Sequence, residues 1–131
     1  MGLILIKSES RFPVDRKRIK KKIEKTLVNY GVFSVAEVSI AFVGPQKMRQ
    51  LNRDFRRTDE VTSVLSFSQI ERGKQEDQLI ASPDGVLRLG DVIVCYEEAQ
   101  KRADEGGKMV DEEVDFLVEH GLLHLLGVHH D

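Results

Sequence analysis

All four histidines of this chain lie within its last twelve residues, and three of them are spaced like the ligands of one metal ion. His120 and His124 are four residues apart, which on a helix places both imidazoles on one face, one turn apart. Gly127 can end that helix in a left-handed conformation that other residues resist, so that the chain turns back and brings in a third imidazole, from His130. Three neutral imidazoles with an open fourth position predict a catalytic zinc site rather than a structural one.

The spacing H-x-x-x-H-x-x-G-x-x-H resembles the metal motif of the metzincin proteases at every ligand and glycine position. Those proteases carry a glutamate general base after the first histidine, where this chain has Gly121. Glu119 would point about 100° away from the ligand face of a helix, so it is a poor substitute. The motif therefore argues against peptide hydrolysis. The third ligand stays open, because His129 or His130 could reach the metal and only His130 fits the spacing.

Hydrophobic periodicity predicts the elements that must position these residues. Strands are expected at Leu3–Lys7, Glu37–Val43, Ser63–Phe67 and Leu87–Cys95. Helices are expected at about 15–30, 45–54, 96–105 and 110–126. The apolar side of the first helix is expected to carry Ile19, Ile23, Leu27 and Tyr30. This alternation predicts an α+β (mixed α/β) fold: residues 1–131 form a single domain, with helices packed on a small mixed sheet of about four strands and the metal-ligand helix near the C-terminus.

The net charge of −2 hides an uneven distribution of charge along the chain. Residues 1–57 carry a balance of +9 and residues 58–131 a balance of −11. The first predicted helix has a strongly basic face, on which the candidate nucleic-acid contacts are Arg16, Lys17, Lys20 and Lys21. From charge alone, two solvated faces of opposite sign are the favoured interpretation, and a nucleic-acid surface is the minority one.

Composition excludes several other classes of protein. Cys95 is the only cysteine, so neither an internal disulfide nor a cluster of thiolate zinc ligands can form. No apolar run approaches the length of about 20 residues that a membrane span needs. The apolar residues 1–6 are too short for a signal peptide, and a cytoplasmic location is expected.

Three blocks of the sequence resemble the YbeY family of bacterial single-domain metalloproteins, which are endoribonucleases in ribosomal RNA maturation. The stretch HGLLHLLGVHH at residues 120–130 is similar to the family's signature. The block LNRDFRRTDEVTSVLSF at residues 51–67 and the strand LGDVIV at residues 89–94 follow the family's order. The chain differs at three positions: His129 and Ser63 stand where the family usually has aspartate, and Val61 where it usually has proline.

The resemblance implies that His120, His124 and His130 are the metal ligands and that Arg56 faces the metal cleft. The three imidazoles predict that the metal is zinc, one ion per chain. A guanidinium offers a planar fork to two phosphate oxygens, which suits a charged phosphodiester transition state. The alternative for Arg56 is a surface ion pair with Asp54, Asp59 or Glu60. Nickel and iron also accept three imidazoles, so the metal's identity is open.

The resulting hypothesis is a zinc-activated endoribonuclease of ribosomal RNA processing, with RNA and ribosomal components as partners. Two alternatives remain. One is a metal-dependent hydrolase of another substrate, such as a peptide or a small ester. The other is a non-catalytic, ribosome-associated factor that keeps a structural metal.

Overall fold

The computed structural model describes residues 3–8, 12–69 and 85–128. Its strands are β1 (Leu3–Ser8), β2 (Val35–Val43), β3 (Val64–Ser68) and β4 (Val86–Cys95). Its α-helices are α1 (Arg16–Asn29), α2 (Pro45–Leu51), α3 (Tyr96–Gly106) and α4 (Val110–Leu125). A short π-helix, Asn52–Arg56, continues α2. The predicted α+β fold with a four-stranded sheet is confirmed.

The sheet has the order β1-β2-β4-β3 and is mixed. The strands β1, β2 and β4 are parallel, whereas β3 pairs antiparallel with β4 and lies at the edge. A bulge interrupts the pairing of β2 with β4, because Glu37 faces Arg88 and the next residue, Val38, faces Gly90. Gly90 has a φ of +135°, and a Cβ there would collide with the backbone oxygen of Phe67. Only glycine fits this point of close strand approach.

The helices cover the two faces of the sheet unequally. The larger core lies on the face that packs against α1 and α4, where the alternation of β2 buries Val38, Ile40 and Phe42. A smaller cluster on the opposite face joins α2 to the sheet through Val43, Met48, Leu65 and Cys95. Of the helices in the described ranges, none has the length and apolar character that a bilayer crossing requires.

Two details of the helices differ from the sequence-based expectation. The helix predicted to run to about residue 54 changes at Asn52 from α-helical to π-helical hydrogen bonding. The expectation that Tyr30 lies on the buried side of the first helix is wrong, because its side chain is 44% exposed. The helix ends at Asn29, so the helical periodicity no longer sets the direction of Tyr30. Ile19, Ile23 and Leu27 are buried as expected.

A buried carboxylate fastens α3 to the start of α4. The Glu113 side chain is 2% exposed and forms ion pairs of 2.7 Å with both Arg102 and Lys108. Burial by itself raises the pKa of Glu113, but the hydrogen bonds and charges of the two cations outweigh it and leave the pKa below its ordinary value of 4.5. Folding therefore favours the ionised form of Glu113.

We expect this carboxylate to contribute to stability above pH 4.5 and to lose that contribution as the pH falls through the lowered pKa of the folded state. Glu113→Gln should cost about 1–3 kcal/mol of unfolding free energy at pH 7, because two partly exposed cations lose their charged partner. Urea unfolding at several pH values measures this. The difference in unfolding free energy between wild type and variant should become smaller as the pH falls below 4.5. If this difference stayed constant down to the pH at which the protein unfolds in acid, the ionised Glu113 would not contribute to stability.

Candidate functional site

The structure brings His120 and His124 together on one side of the last turns of α4. Their ring centroids are 4.8 Å apart, and the ring planes meet at 66°. His120 is half-buried and stacks at 6.1 Å on the ring of Phe116, whereas His124 is exposed. The spacing of four residues thus places two imidazoles side by side, with one of them open to solvent.

The end of α4 has the geometry expected from Gly127. This glycine has a φ of +80°, and its N–H donates to the carbonyl oxygen of His124 at 3.1 Å. The N–H of Val128 donates to the carbonyl oxygen of Leu123 at 2.9 Å, which completes a left-handed helix stop. His129 and His130 follow this turn and lie outside the described residues. Within the described ranges no group of three His, Cys, Asp or Glu side chains is placed to hold a metal, so the third ligand stays a prediction.

Gly121 is the point at which α4 touches the sheet. A Cβ at this position would lie 2.6 Å from Cγ1 of Val92 and 3.1 Å from the hydroxyl oxygen of Ser66. The same Ser66 hydroxyl donates a 3.0 Å hydrogen bond to the carbonyl oxygen of Gly121 and so fastens α4 to β3. The glutamate of a metzincin motif therefore has no room here. Close helix–sheet packing is the physical reason for the glycine that the sequence shows at this position.

Ion pairs hold α1 alongside α4 next to the histidines. Arg18 pairs with Asp115 at 2.8 Å, and Lys22 pairs with Glu119 at 3.5 Å. Glu119, the neighbour of His120 in the sequence, is thus directed at α1, as its helical position predicts. Its carboxylate is engaged in packing two helices together, which agrees with its exclusion as a general base.

The direction of α4 places the histidines toward the amino end of β4. The ring of Phe12, just before α1, lies 5.3 Å from that of Tyr96, which directly follows β4. The helix α1 therefore starts at the carboxyl ends of the parallel strands and runs back toward their amino ends, where β2 begins. The α1–α4 ion pairs follow the same order along both helices, so α4 runs in the same direction as α1. It crosses β4 where Gly121 lies against Val92, and His124 lies further along α4, toward the amino end of β4.

Arg56 lies at the end of the π-helix and is exposed. The next residue, Arg57, ends this helix in the left-handed conformation, with a φ of 57°. The preceding residue, Phe55, places its ring 5.3 Å from the ring of Phe67 on β3. The residues Ser66 and Phe67 alternate across β3, so α4 and the π-helix approach this edge strand from its two faces. Both candidate elements thus contact the strand that borders the sheet, each from its own face.

One of the three ion-pair partners considered for Arg56 is engaged elsewhere. The carboxylate of Asp59 lies 3.8 Å from Nε of Arg49, and both side chains are largely exposed. None of the ion pairs within the described ranges involves Arg56. The ion pair considered for Arg56 is therefore not seen among the described residues.

Asn52, which motif reasoning did not single out, anchors the segment that carries Arg56. Its side chain is fully buried and donates from Nδ2 to the carbonyl oxygen of Glu60 at 2.9 Å and to the hydroxyl of Thr62 at 3.2 Å. Its Oδ1 is buried without a hydrogen-bond partner among the described residues. The signal in the sequence is an amide at the inward position four residues after the buried Met48.

The four candidate nucleic-acid contacts lie together on α1. Lys17, Lys20 and Lys21 are exposed. Arg16 is also exposed, and its Nη1 donates to the carbonyl oxygen of Ile6 at 2.9 Å. A surface cavity at the carboxyl ends of β2 and β4, lined in part by Gly44, Lys47 and Tyr96, lies at the other end of the sheet from the histidines and is not part of this site.

Comparison with known proteins places the chain in a family. Residues 5–131 match the family model described as Endoribonuclease YbeY. The chain is similar to Endoribonuclease YbeY of Bacillus cereus strain B4264, with 38% identity over 86% of this chain and 71% of the relative. It is also similar to Endoribonuclease YbeY of Dehalococcoides mccartyi strain CBDB1, with 34% identity over 97% of this chain and 79% of the relative. The solution structure of TM1509 from Thermotoga maritima aligns with a TM-score of 0.62 and 26% identity, covering 98% of this chain and 75% of that one. The chain belongs to the Endoribonuclease YbeY family.

Proposed function

We propose that the chain is a metal-activated endoribonuclease in which His120, His124 and His130 hold one metal ion beside the edge strand β3. Family membership supports RNA as the substrate class. The observation that carries the metal site is the pair of imidazoles on α4, whose ring centroids are 4.8 Å apart. These two histidines fit part of the donor set of a zinc site, and His130 completes it in this proposal.

The accessibility of the two imidazoles favours a catalytic metal over a structural one. Structural zinc sites are closed by four protein ligands, whereas catalytic sites keep a position open. Here His124 is exposed and His120 half-buried. Zinc is proposed, with one ion per chain, and when bound it supplies Lewis-acid chemistry that activates water and polarises a phosphoryl oxygen.

Arg56 is proposed to neutralise the charge that develops on the non-bridging oxygens of the phosphate. Its exposure leaves it accessible to a polyanionic substrate. The buried Asn52 and the contact of Phe55 with Phe67 fix the π-helix against β3, so the guanidinium projects from a rigid support. A preorganised cation is more effective than a mobile one, because its orientation need not change during the reaction.

Arg56→Ala should reduce kcat/KM for RNA cleavage by about 100- to 1000-fold, the range seen when one transition-state donor is removed. Arg56→Lys should recover only part of this loss, because an ammonium lacks the planar fork. The matched control is Arg53→Ala, an exposed arginine on the same π-helix, which should cleave nearly as well as wild type. Wild-type cleavage by Arg56→Ala with metal bound would show that Arg56 has another role.

The proposed setting is maturation of ribosomal RNA in the cytoplasm, with ribosomal components as partners. The basic face of α1 supports a long RNA substrate, since Arg16, Lys17, Lys20 and Lys21 can contact phosphates flanking the cleaved bond. A peptide substrate is disfavoured, because Gly121 has no room for a glutamate base. Assays of metal-loaded protein on structured RNA and, in parallel, on casein test the proposal. Cleavage of RNA alone is expected, and cleavage of casein alone would overturn it.

A further inference from the structure

Exposed apolar side chains are concentrated where α1 ends and β2 begins. Phe33 is 73% exposed, and Tyr30, Val28 and Val35 are also exposed. Two aromatic rings that face solvent within four residues are unusual, because large apolar side chains are ordinarily buried. This cluster, Val28, Tyr30, Phe33 and Val35, is called the aromatic patch.

A stripe of lysines on α1 leads toward the aromatic patch. Lys17, Lys21 and Lys25 are four residues apart, so they lie on one side of α1 at intervals of about 6 Å. All three are exposed, and none takes part in an ion pair between described residues. Val28 continues the stripe to the end of the helix. By contrast, Arg18 and Lys22 are directed at α4 and paired there.

The aromatic patch lies at the same end of the molecule as the histidines. The two helices run in the same direction, and Lys22 lies level with Glu119. Asn29, at the end of α1, lies seven residues, or about 10 Å, beyond Lys22. Leu126 lies seven residues beyond Glu119, so it is level with Asn29. Since packed helices have axes about 8–10 Å apart, a few nucleotides of RNA can span from the patch to His124.

We propose that the lysine stripe and the aromatic patch bind a single-stranded segment of the RNA substrate. Lys17, Lys21 and Lys25 contact successive phosphates, while Tyr30 and Phe33 stack on bases next to the cleavage site. Stacking on aromatic rings requires unpaired bases, because the bases of a duplex already stack on one another. The inference rests on the proposed function, since it extends the substrate contacts of the same metal site.

The combination of charge and aromatic rings selects RNA over a protein partner. An apolar patch alone fits many protein surfaces, but here an exposed cationic stripe leads directly into it. A cationic surface next to exposed aromatic side chains is typical of surfaces that bind single strands. A protein partner that uses the patch predicts instead that RNA binding is independent of Phe33.

The test measures binding and cleavage separately. A fluorescently labelled single-stranded RNA of mixed sequence is titrated with chelator-treated protein, and cleavage is followed with metal-loaded protein. Phe33→Leu should weaken binding of the single strand about tenfold, whereas Phe33→Trp should bind it as wild type does. Lys25→Ala should weaken binding and lower the slope of log affinity against log salt by about one. Lys47→Ala, at the opposite end of the sheet, is the control and should bind as wild type.

The outcomes separate this inference from the proposed function. If Phe33→Leu binds the single strand as wild type does, or if wild type prefers an RNA duplex, the inference is wrong even when RNA is cleaved. If binding depends on Phe33 and Lys25 but metal-loaded protein cleaves no RNA, the surface is upheld and the proposed activity fails. Because Phe33 is exposed, its replacement is not expected to disturb folding, which thermal unfolding of each variant checks.

Discussion

His124→Ala is expected to abolish RNA cleavage by the metal-loaded protein and to leave the fold intact. His124 is exposed in the last turn of α4, so its side chain is not part of the core that stabilises the helix. Removing one of the proposed imidazole ligands leaves too few donors to hold the metal. Single-turnover cleavage of RNA measures the activity, and thermal unfolding of the metal-free proteins measures the fold.

The adjacent histidines near the end of the chain provide a matched pair for the third ligand. His130→Ala should lose cleavage as His124→Ala does, whereas His129→Ala should retain it, because only His130 is at the motif's spacing. The reverse pattern would assign the third ligand to His129. Cleavage by His124→Ala at the wild-type rate would remove the metal site from the mechanism altogether.

Gly121→Glu should unfold the protein rather than create a protease. A Cβ at this position already lies 2.6 Å from Val92, so a longer side chain would force α4 away from the sheet. Gly121→Ala alone should cost about 1–3 kcal/mol, as overpacking of a core usually does. The glutamate adds the free energy of burying a carboxylate between α4 and β4. Urea unfolding of the alanine variant and circular dichroism of the glutamate variant measure these effects.

Gly106, the last residue of α3, is a control glycine with open surroundings. Gly106 is helical and exposed, and a Cβ there would meet only the Lys108 side chain, at 3.6 Å. Gly106→Ala should therefore be neutral or stabilise the protein by up to about 1 kcal/mol. A folded Gly121→Glu variant with wild-type stability would show that α4 does not pack on β4 as described.

The parts of the fold set by local periodicity could be predicted from the sequence. The alternation of Val38, Ile40 and Phe42 placed β2, and Gly127 marked the end of the metal-ligand helix. Local patterns could not place the π-helix, because its anchor is the buried side chain of Asn52, which bonds to a loop eight to ten residues away. They also wrongly predicted that Tyr30 lies on the buried side of α1. The helix ends at Asn29, so its periodicity does not apply to Tyr30, which is exposed.

The candidate site was predictable in its residue types but only partly in its arrangement. Two histidines four residues apart on a helix must lie side by side, and the structure places them so. The sequence could show that Gly121 replaces a glutamate, but the reason is a contact with Val92 and Ser66 from distant strands. Likewise, the packing of α1 on α4 depends on Arg18 and Asp115, which are 97 residues apart. Such contacts follow from the fold and not from spacing.

In the proposed metal site, His120 and His124 bind a metal ion together with His130. The most direct test is elemental analysis of the protein purified at neutral pH, compared with His120→Ala. We expect about one equivalent of zinc or another divalent transition metal per chain in the native protein, and loss of this metal in the variant. A native protein without bound metal, or a His120→Ala variant that keeps a full equivalent, would rule out the three-histidine metal site.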